Sequence, residues 1–213
     1  MMPLGDDNSD QRVTPVVNYI LILLNILVFL LELSGGEAFV EKWAYIPSRF
    51  LANPGADFFT LFSAMFMHAG LAHLAGNMLY LWIFGDNVEA KLGRLQYLLF
   101  YLVCGIAATF SQTCFDPASS IPNVGASGAI AGVLGAYIFM FPQGKVSVLM
   151  GQQIVTMPAL VVIGFWFLLQ FTSGISSLYS SGDEGGVAYM AHIGGFLSGL
   201  AISVVISKIV TKK

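Results

Sequence analysis

The chain of 213 residues is 56% apolar and only 10% charged, against about 25% charged in ordinary soluble domains, so it has too little polar surface to clothe a water-soluble globule. At ~20 residues per bilayer-crossing helix, the apolar supply fills roughly six spans. A formal net charge of −3 and the lack of any lysine or arginine cluster exclude a nucleic-acid partner, and two cysteines, Cys104 and Cys114, are too few for a disulfide framework.

Residues 1–12 carry Asp6, Asp7 and Asp10 against Arg12 alone, the wrong charge for the n-region of a cleaved signal. They read as a short cytoplasmic tail, and the first apolar run as a retained segment. Apolar runs at 16–33, 61–84, 95–113, 127–141, 154–171 and 187–210 predict an all-α membrane protein, a six-helix bundle over 13–210 followed by a tail at 211–213. Six spans put both termini on one side. Arg12, Lys91, Arg94, Lys145, Lys208, Lys212 and Lys213 fall on that side and only Lys42 and Arg49 on the other, so the termini are expected in the cytoplasm.

The largest connection, 34–60, holds Trp43, Tyr45, Phe50, Phe58 and Phe59 among scattered charges, a composition suited to a structure lying in the headgroup region. The fourth run is too short: 15 residues give about 22 Å of helix against a ~30 Å hydrocarbon core. Ahead of it, 116–126 contains Pro117, Ser119, Ser120, Pro122, Asn123 and Gly125. Irregular backbone of this kind is tolerated at membrane depth only against protein or a wet cavity, so Ser127 is expected at the bottom of a water-accessible hollow, in the first turn of a short helix.

The three histidines fall in even-numbered runs, His68 and His73 in the second and His192 in the sixth. Even runs share one direction, so His73, Asn77, Ser127 and His192 meet at similar depth, and polar groups in the membrane default to function. A serine with a neutral imidazole is the minimum for acyl transfer. Gly125 and Gly128 flank Ser127 in GASG; they leave room for a substrate backbone, and free N–H groups of the first helical turn point toward developing negative charge. The alternative is that GASG only packs helices closely.

His192, Gly195 and Gly199 are spaced i, i+3, i+7, and Gly128, Gly132 and Gly135 are spaced i, i+4, i+7. Two such stripes let helices four and six approach closely and bring the imidazole to the hydroxyl, although a histidine that only joins two helices fits the same spacing. His73 and Asn77, at i and i+4, share a face and offer paired donors for an oxyanion hole, or else an interhelical clamp. His68, about 140° round the same helix from His73, is expected to be structural. HExxH is missing, because Leu74 follows His73, and the outer halves of these runs hold no carboxylate. These features disfavour zinc and a full Ser-His-Asp triad, leaving a dyad.

HAGLAHLAGNM (68–78), GASG (125–128) and AHIGGFLSG (191–199), in this order and in the second, fourth and sixth runs, resemble the rhomboid family of intramembrane serine proteases over roughly 12–208. The resemblance implies a rhomboid-like six-helix fold with a short central fourth helix and a large interfacial first outer loop. It implies that Ser127 is the nucleophile, that His192 is the general base, and that His73, Asn77 and the Ser127 N–H stabilise the oxyanion. No metal or other cofactor is implied. The partners implied are transmembrane protein substrates, cut near the outer surface where the helix unwinds, and membrane lipid.

Two departures stand out. The Trp-Arg pair often present in the family's first outer loop is missing, with Phe58 and Phe59 near that place, and Ala131 stands where some members carry a tyrosine that packs on the catalytic histidine. Tyr189 or Met190 is then the expected support for His192. In the fifth run, Trp166, Phe167 and Phe171 form a candidate substrate gate, with Pro158 and Gly164 weakening the helix; a plain lipid-facing aromatic surface is the equal alternative. The Gly- and Ser-rich 173–186 segment reads as a lid. A catalytically dead relative that binds transmembrane helices would lack the serine or histidine, and a transporter would show mid-membrane acids and an inverted repeat. The short tails fit a prokaryotic cytoplasmic membrane.

Overall fold

Helix α1 (Val16–Trp43) starts after Pro15, which offers no side-chain acceptor to the helix's first N–H groups. The computed structural model, which describes residues 2–6, 13–177 and 188–210, shows where they go. The Glu89 carboxylate accepts from the N–H of Val17 at 3.0 Å and of Asn18 at 2.7 Å. Asn18 in turn donates to the Leu81 carbonyl at 2.9 Å and accepts from the Tyr97 hydroxyl at 2.8 Å. One buried polar knot thus ties three helices together. Glu89→Ala leaves two N–H groups of a helix start without a partner and is expected to cost about 1–3 kcal/mol, read as a lowered unfolding midpoint in detergent with faster amide exchange at Val17 and Asn18.

α1 runs beyond the 16–33 segment expected of it, to Trp43, and breaks at Gly36 (φ 59°, ψ −148°). The outer loop is therefore helical in its first third. It continues through three short helices, α2 (Pro47–Ala52), α3 (Pro54–Asp57) and α4 (Thr60–Ser63), and a 3₁₀ turn at Ala64–Phe66. Arg49 holds it together: its guanidinium pairs with Asp57 at 3.0 Å and donates to the carbonyls of Glu41 and Ala44 at 2.5 Å. That is how this loop is anchored without the missing Trp-Arg pair. Phe59 is 71% exposed beside Phe58 at 51%, an apolar edge of the kind expected at a membrane surface.

α5 (Leu71–Leu92) and α6 (Arg94–Phe115) follow, joined at Gly93. α7 (Ser127–Met140) is the central helix. Every residue of it from Gly128 to Tyr137 is buried, as a helix that is apolar all round must be. It is enclosed by α5, α6 and α9 (Tyr189–Val210), with its most extensive packing on α9. At 14 residues it is about 21 Å long, the short central helix expected.

The all-α expectation needs a correction at one end. β1 (Met2–Asp6), β2 (Lys145–Met150) and β3 (Gln153–Pro158) form an antiparallel sheet in that order, with β1 against β2 and β2 against β3. Asp6 accepts from the Asn87 amide and the Tyr137 hydroxyl, both at 2.7 Å, which seats the sheet at the end of the bundle away from Ser127. Residues 154–158, expected in the fifth span, are thus strand, and α8 (Ala159–Ser177) begins only at Ala159. Pro158, expected to weaken a helix, closes β3 instead. The signal was present: in KVSVLM, Val146 and Val148 alternate inward, a period of two that belongs to strands.

Among the described residues, Val16–Trp43, Arg94–Phe115 and Tyr189–Lys208 are long and apolar enough to cross a membrane. Leu23, Leu30, Leu31 and Leu33 point outward from α1, as suits lipid rather than water. The fold is mostly helical and carries membrane-spanning helices. Residues 1, 7–12, 178–187 and 211–213, which include most of the expected lid and tails, lie outside the described residues.

Candidate active site

The backbone before Ser127 is held by the outer loop. The Ser48 N–H donates to the Ser119 carbonyl (3.1 Å), the Asn123 N–H to that of Tyr45 (2.7 Å) and the Gly125 N–H to that of Ala64 (2.9 Å). Tyr45, fully buried, also bonds Thr113 of α6 at 2.8 Å. This stitching sets Gly125 at φ 133°, a backbone conformation that L side chains rarely adopt. A Cβ there would also stand 2.9 Å from the His73 ring. Glycine at 125 therefore serves two ends: it allows the turn into α7 and makes room for an imidazole next to Ser127.

Ser127 opens α7, and no side chain caps that turn. The first intrahelical bond runs from the Ile130 N–H to the Ala126 carbonyl at 3.0 Å, so the N–H groups of the first turn lie outside the helical ladder. A cavity of about 20 Å³ is lined by Ser127, Gly125, Asn123, Thr109 and Met65 among others and has room for about one water.

His192, on the first turn of α9, puts Nε2 2.7 Å from Ser127 Oγ. The glycine stripes make this possible. A Cβ on Gly195 would run into the Gly128 carbonyl, one on Gly199 into the Gly132 backbone, and one on Gly135 into the Phe196 carbonyl. α7 and α9 meet backbone to backbone along this face, as close as helices can come.

His73 and Asn77 lie on the first turns of α5, as their spacing predicts, with His73 at Gly125. Asn77 Nδ2, though, is 2.9 Å from His68 Nε2. His68 is not on the helix: it precedes α5, and its ring packs edge-on against His73 at 5.0 Å. The helical rotation expected to separate the two rings does not apply, because Met67–Gly70 is extended and turning backbone. Glu32, near the middle of α1, accepts from the His68 backbone N–H at 2.9 Å. A carboxylate therefore does reach this side of the site, but it holds the main chain of His68 rather than a reacting group.

No hydrogen bond or ring contact joins Tyr189 or Met190 to His192 among the described residues; two residues of α8 supply them. Gln170 Oε1 lies 2.7 Å from His192 Nδ1, and the Trp166 ring centroid lies 5.8 Å from the imidazole. Trp166 also nears Tyr80 of α5 at 6.4 Å, while Phe167 packs on Phe196 of α9 at 4.4 Å and on Phe171 at 6.5 Å. The three candidate gate aromatics thus divide. Trp166 and Phe167 face the bundle, and Phe171 is largely exposed. Sequence reasoning missed Gln170. The signal was the one used for Ser127, a polar side chain where nearly all are apolar.

A family model described as Rhomboid domain matches residues 55–209. Among curated proteins, the chain is 34% identical over 197 residues to Rhomboid protease GluP of Bacillus subtilis, covering 90% of this chain and 36% of that protein. It is 26% identical over 200 residues to Rhomboid protein 1, mitochondrial, of Saccharomyces cerevisiae, covering 92% of this chain and 54% of that one. The chain thus spans less than two thirds of the length of either relative. The three motifs in 68–199, the close α7 and α9 pair and a domain match over most of the sequence agree: the chain belongs to the rhomboid family.

Proposed function

We propose that this chain is an intramembrane serine endopeptidase that cuts transmembrane segments of other membrane proteins with a Ser127–His192 dyad. The observation that carries this reading is the 2.7 Å approach of Ser127 Oγ to His192 Nε2 at the start of a short buried helix. Ser127 attacks the scissile carbonyl while Nε2 takes its proton; the same proton then passes to the departing amine, leaving an acyl-enzyme. Water attacks the ester by the same route reversed. Negative charge on the tetrahedral carbon's oxygen meets the first-turn N–H groups and His73. Asn77, its amide oriented by His68, has a second hydrogen on Nδ2 to offer there. His68, Gly125, Gly128, Gly195 and Gly199 support this arrangement.

The substrate helix must unwind before it can be cut, because a carbonyl bonded within a helix cannot meet the serine. α8 is the proposed side of lateral access, with Trp166, Phe167 and Phe171 as the gate. Six spans with both termini in the cytoplasm of a prokaryotic inner membrane complete the reading. It is tested by reconstituting the protein with a single-pass substrate and following cleavage against pH. Only neutral His192 can accept the serine proton, so cleavage is expected to fall at acid pH. A profile that stays flat down to the pH at which the fold is lost contradicts His192 as base.

A further inference from the structure

His192 has two ring nitrogens, and only one of them faces Ser127. For that nitrogen to accept a proton, the other must carry the hydrogen. In water the two neutral tautomers interchange freely, so half of the base's competence rests on whatever lies at Nδ1. That partner is Gln170 Oε1, at 2.7 Å. A carbonyl oxygen can only accept, so the bond requires hydrogen on Nδ1 and leaves Nε2 with its lone pair toward Ser127.

The placement is built. Gln170 and Trp166 are four residues apart on α8, one above the other on the same face, so the amide and the indole reach His192 together. The imidazole is 8% exposed, and Ala131 leaves no aromatic ring beneath it. Its orientation comes from α8 instead. An amide also suits the surroundings better than a carboxylate, whose charge is costly inside a membrane; it keeps the tautomer and the persisting Nδ1–H bond of the imidazolium without adding a charge.

We propose that Gln170 is a positioning residue, which fixes His192 as the Nδ1–H tautomer from the helix that flanks the substrate's side of access. The inference rests on the Ser127–His192 reading. Outward movement of α8 draws the amide from the ring, so the base is set only while α8 lies against α9.

The test is ¹⁵N NMR of the His192 ring in micelles, free of substrate, with steady-state cleavage measured beside it. Wild type is expected as the Nδ1–H form. Gln170→Leu is expected to mix the tautomers and to lower kcat about 10²-fold, with KM unchanged. Gln170→Glu keeps the tautomer, and because its carboxylate favours the imidazolium it moves the acid limb of the cleavage profile to higher pH. An unchanged tautomer and kcat in Gln170→Leu, or an unmoved acid limb in Gln170→Glu, overturns the proposal. If Gln170→Leu does not fold, Gln170→Glu alone decides it. The NMR signal is read without turnover, so a protein that cleaves nothing would sink the proteolytic reading while still reporting on Gln170.

Discussion

Ser127→Ala is expected to lower cleavage of a reconstituted single-pass substrate by at least about 10⁴-fold while leaving the fold intact. The replacement removes one oxygen from a partly exposed position at the head of α7 and leaves the glycine-lined face behind it untouched. Among the described residues its hydroxyl bonds His192 Nε2, so little else is disturbed. His192→Ala is expected to lose activity by about 10²–10⁴-fold, the range of a general base. A fluorophosphonate separates chemistry from binding. It labels an activated serine, so wild type should react and Ser127→Ala should not, whereas equal labelling of the two, or cleavage that survives either change, would rule out the dyad.

Gly199→Ala is expected to be the most damaging single-methyl change in the membrane portion. The added carbon would overlap the O, C and Cα of Gly132. These are backbone atoms of a helix buried on all sides, so neither partner can turn away as a flexible side chain would. Overpacking of this kind costs about 1–3 kcal/mol and more where backbone must shift. Activity should fall further than stability. Gly199 and His192 are two turns apart on α9, and pushing α9 from α7 opens the 2.7 Å contact at Ser127; a displacement of ~1 Å is worth about 10²-fold in rate. Gly164→Ala on α8 is the matched control. Nothing lies within 4 Å of a Cβ there, and alanine is the better helix former by ~1 kcal/mol. Unfolding in detergent should show Gly199→Ala destabilised and Gly164→Ala unchanged or stabilised; equal midpoints would mean that α7 and α9 are not locked by their glycines.

The membrane's scarcity of polar groups explains what could be read from the chain. Ser127 and His192 stood out because almost nothing else in those runs is polar, and the glycine spacing indicated that their helices would touch. Gln170 meets the same criterion, but it lies in a run whose bulk is aromatic and apolar, and its partner His192 is 22 residues further along the chain. The sheet was hidden for a different reason. Short apolar stretches such as 145–150 and 153–158 do not reveal helix or strand by hydropathy alone: the first read as part of a connection and 154–158 as the start of the fifth span. β1 is harder still, because Met2–Asp6 has no apolar period, and it forms a strand only by adding to the edge of β2. His68 was misplaced because the second run looked continuous, whereas the chain interrupts it at Met67–Gly70 to deliver two imidazoles side by side.

The 65-residue separation of Ser127 and His192 also sets an order in time. α9 follows every other described helix in the chain, so during synthesis Ser127 is inserted well before His192 exists. A nascent chain that ends at α8 lacks the glycine face of α9 that closes on α7. On the dyad proposed above, the chain is therefore inactive until α9 is made and docks against α7. A chain ending at residue 187 should fail to label with fluorophosphonate, and adding α9 as a separate peptide should restore labelling.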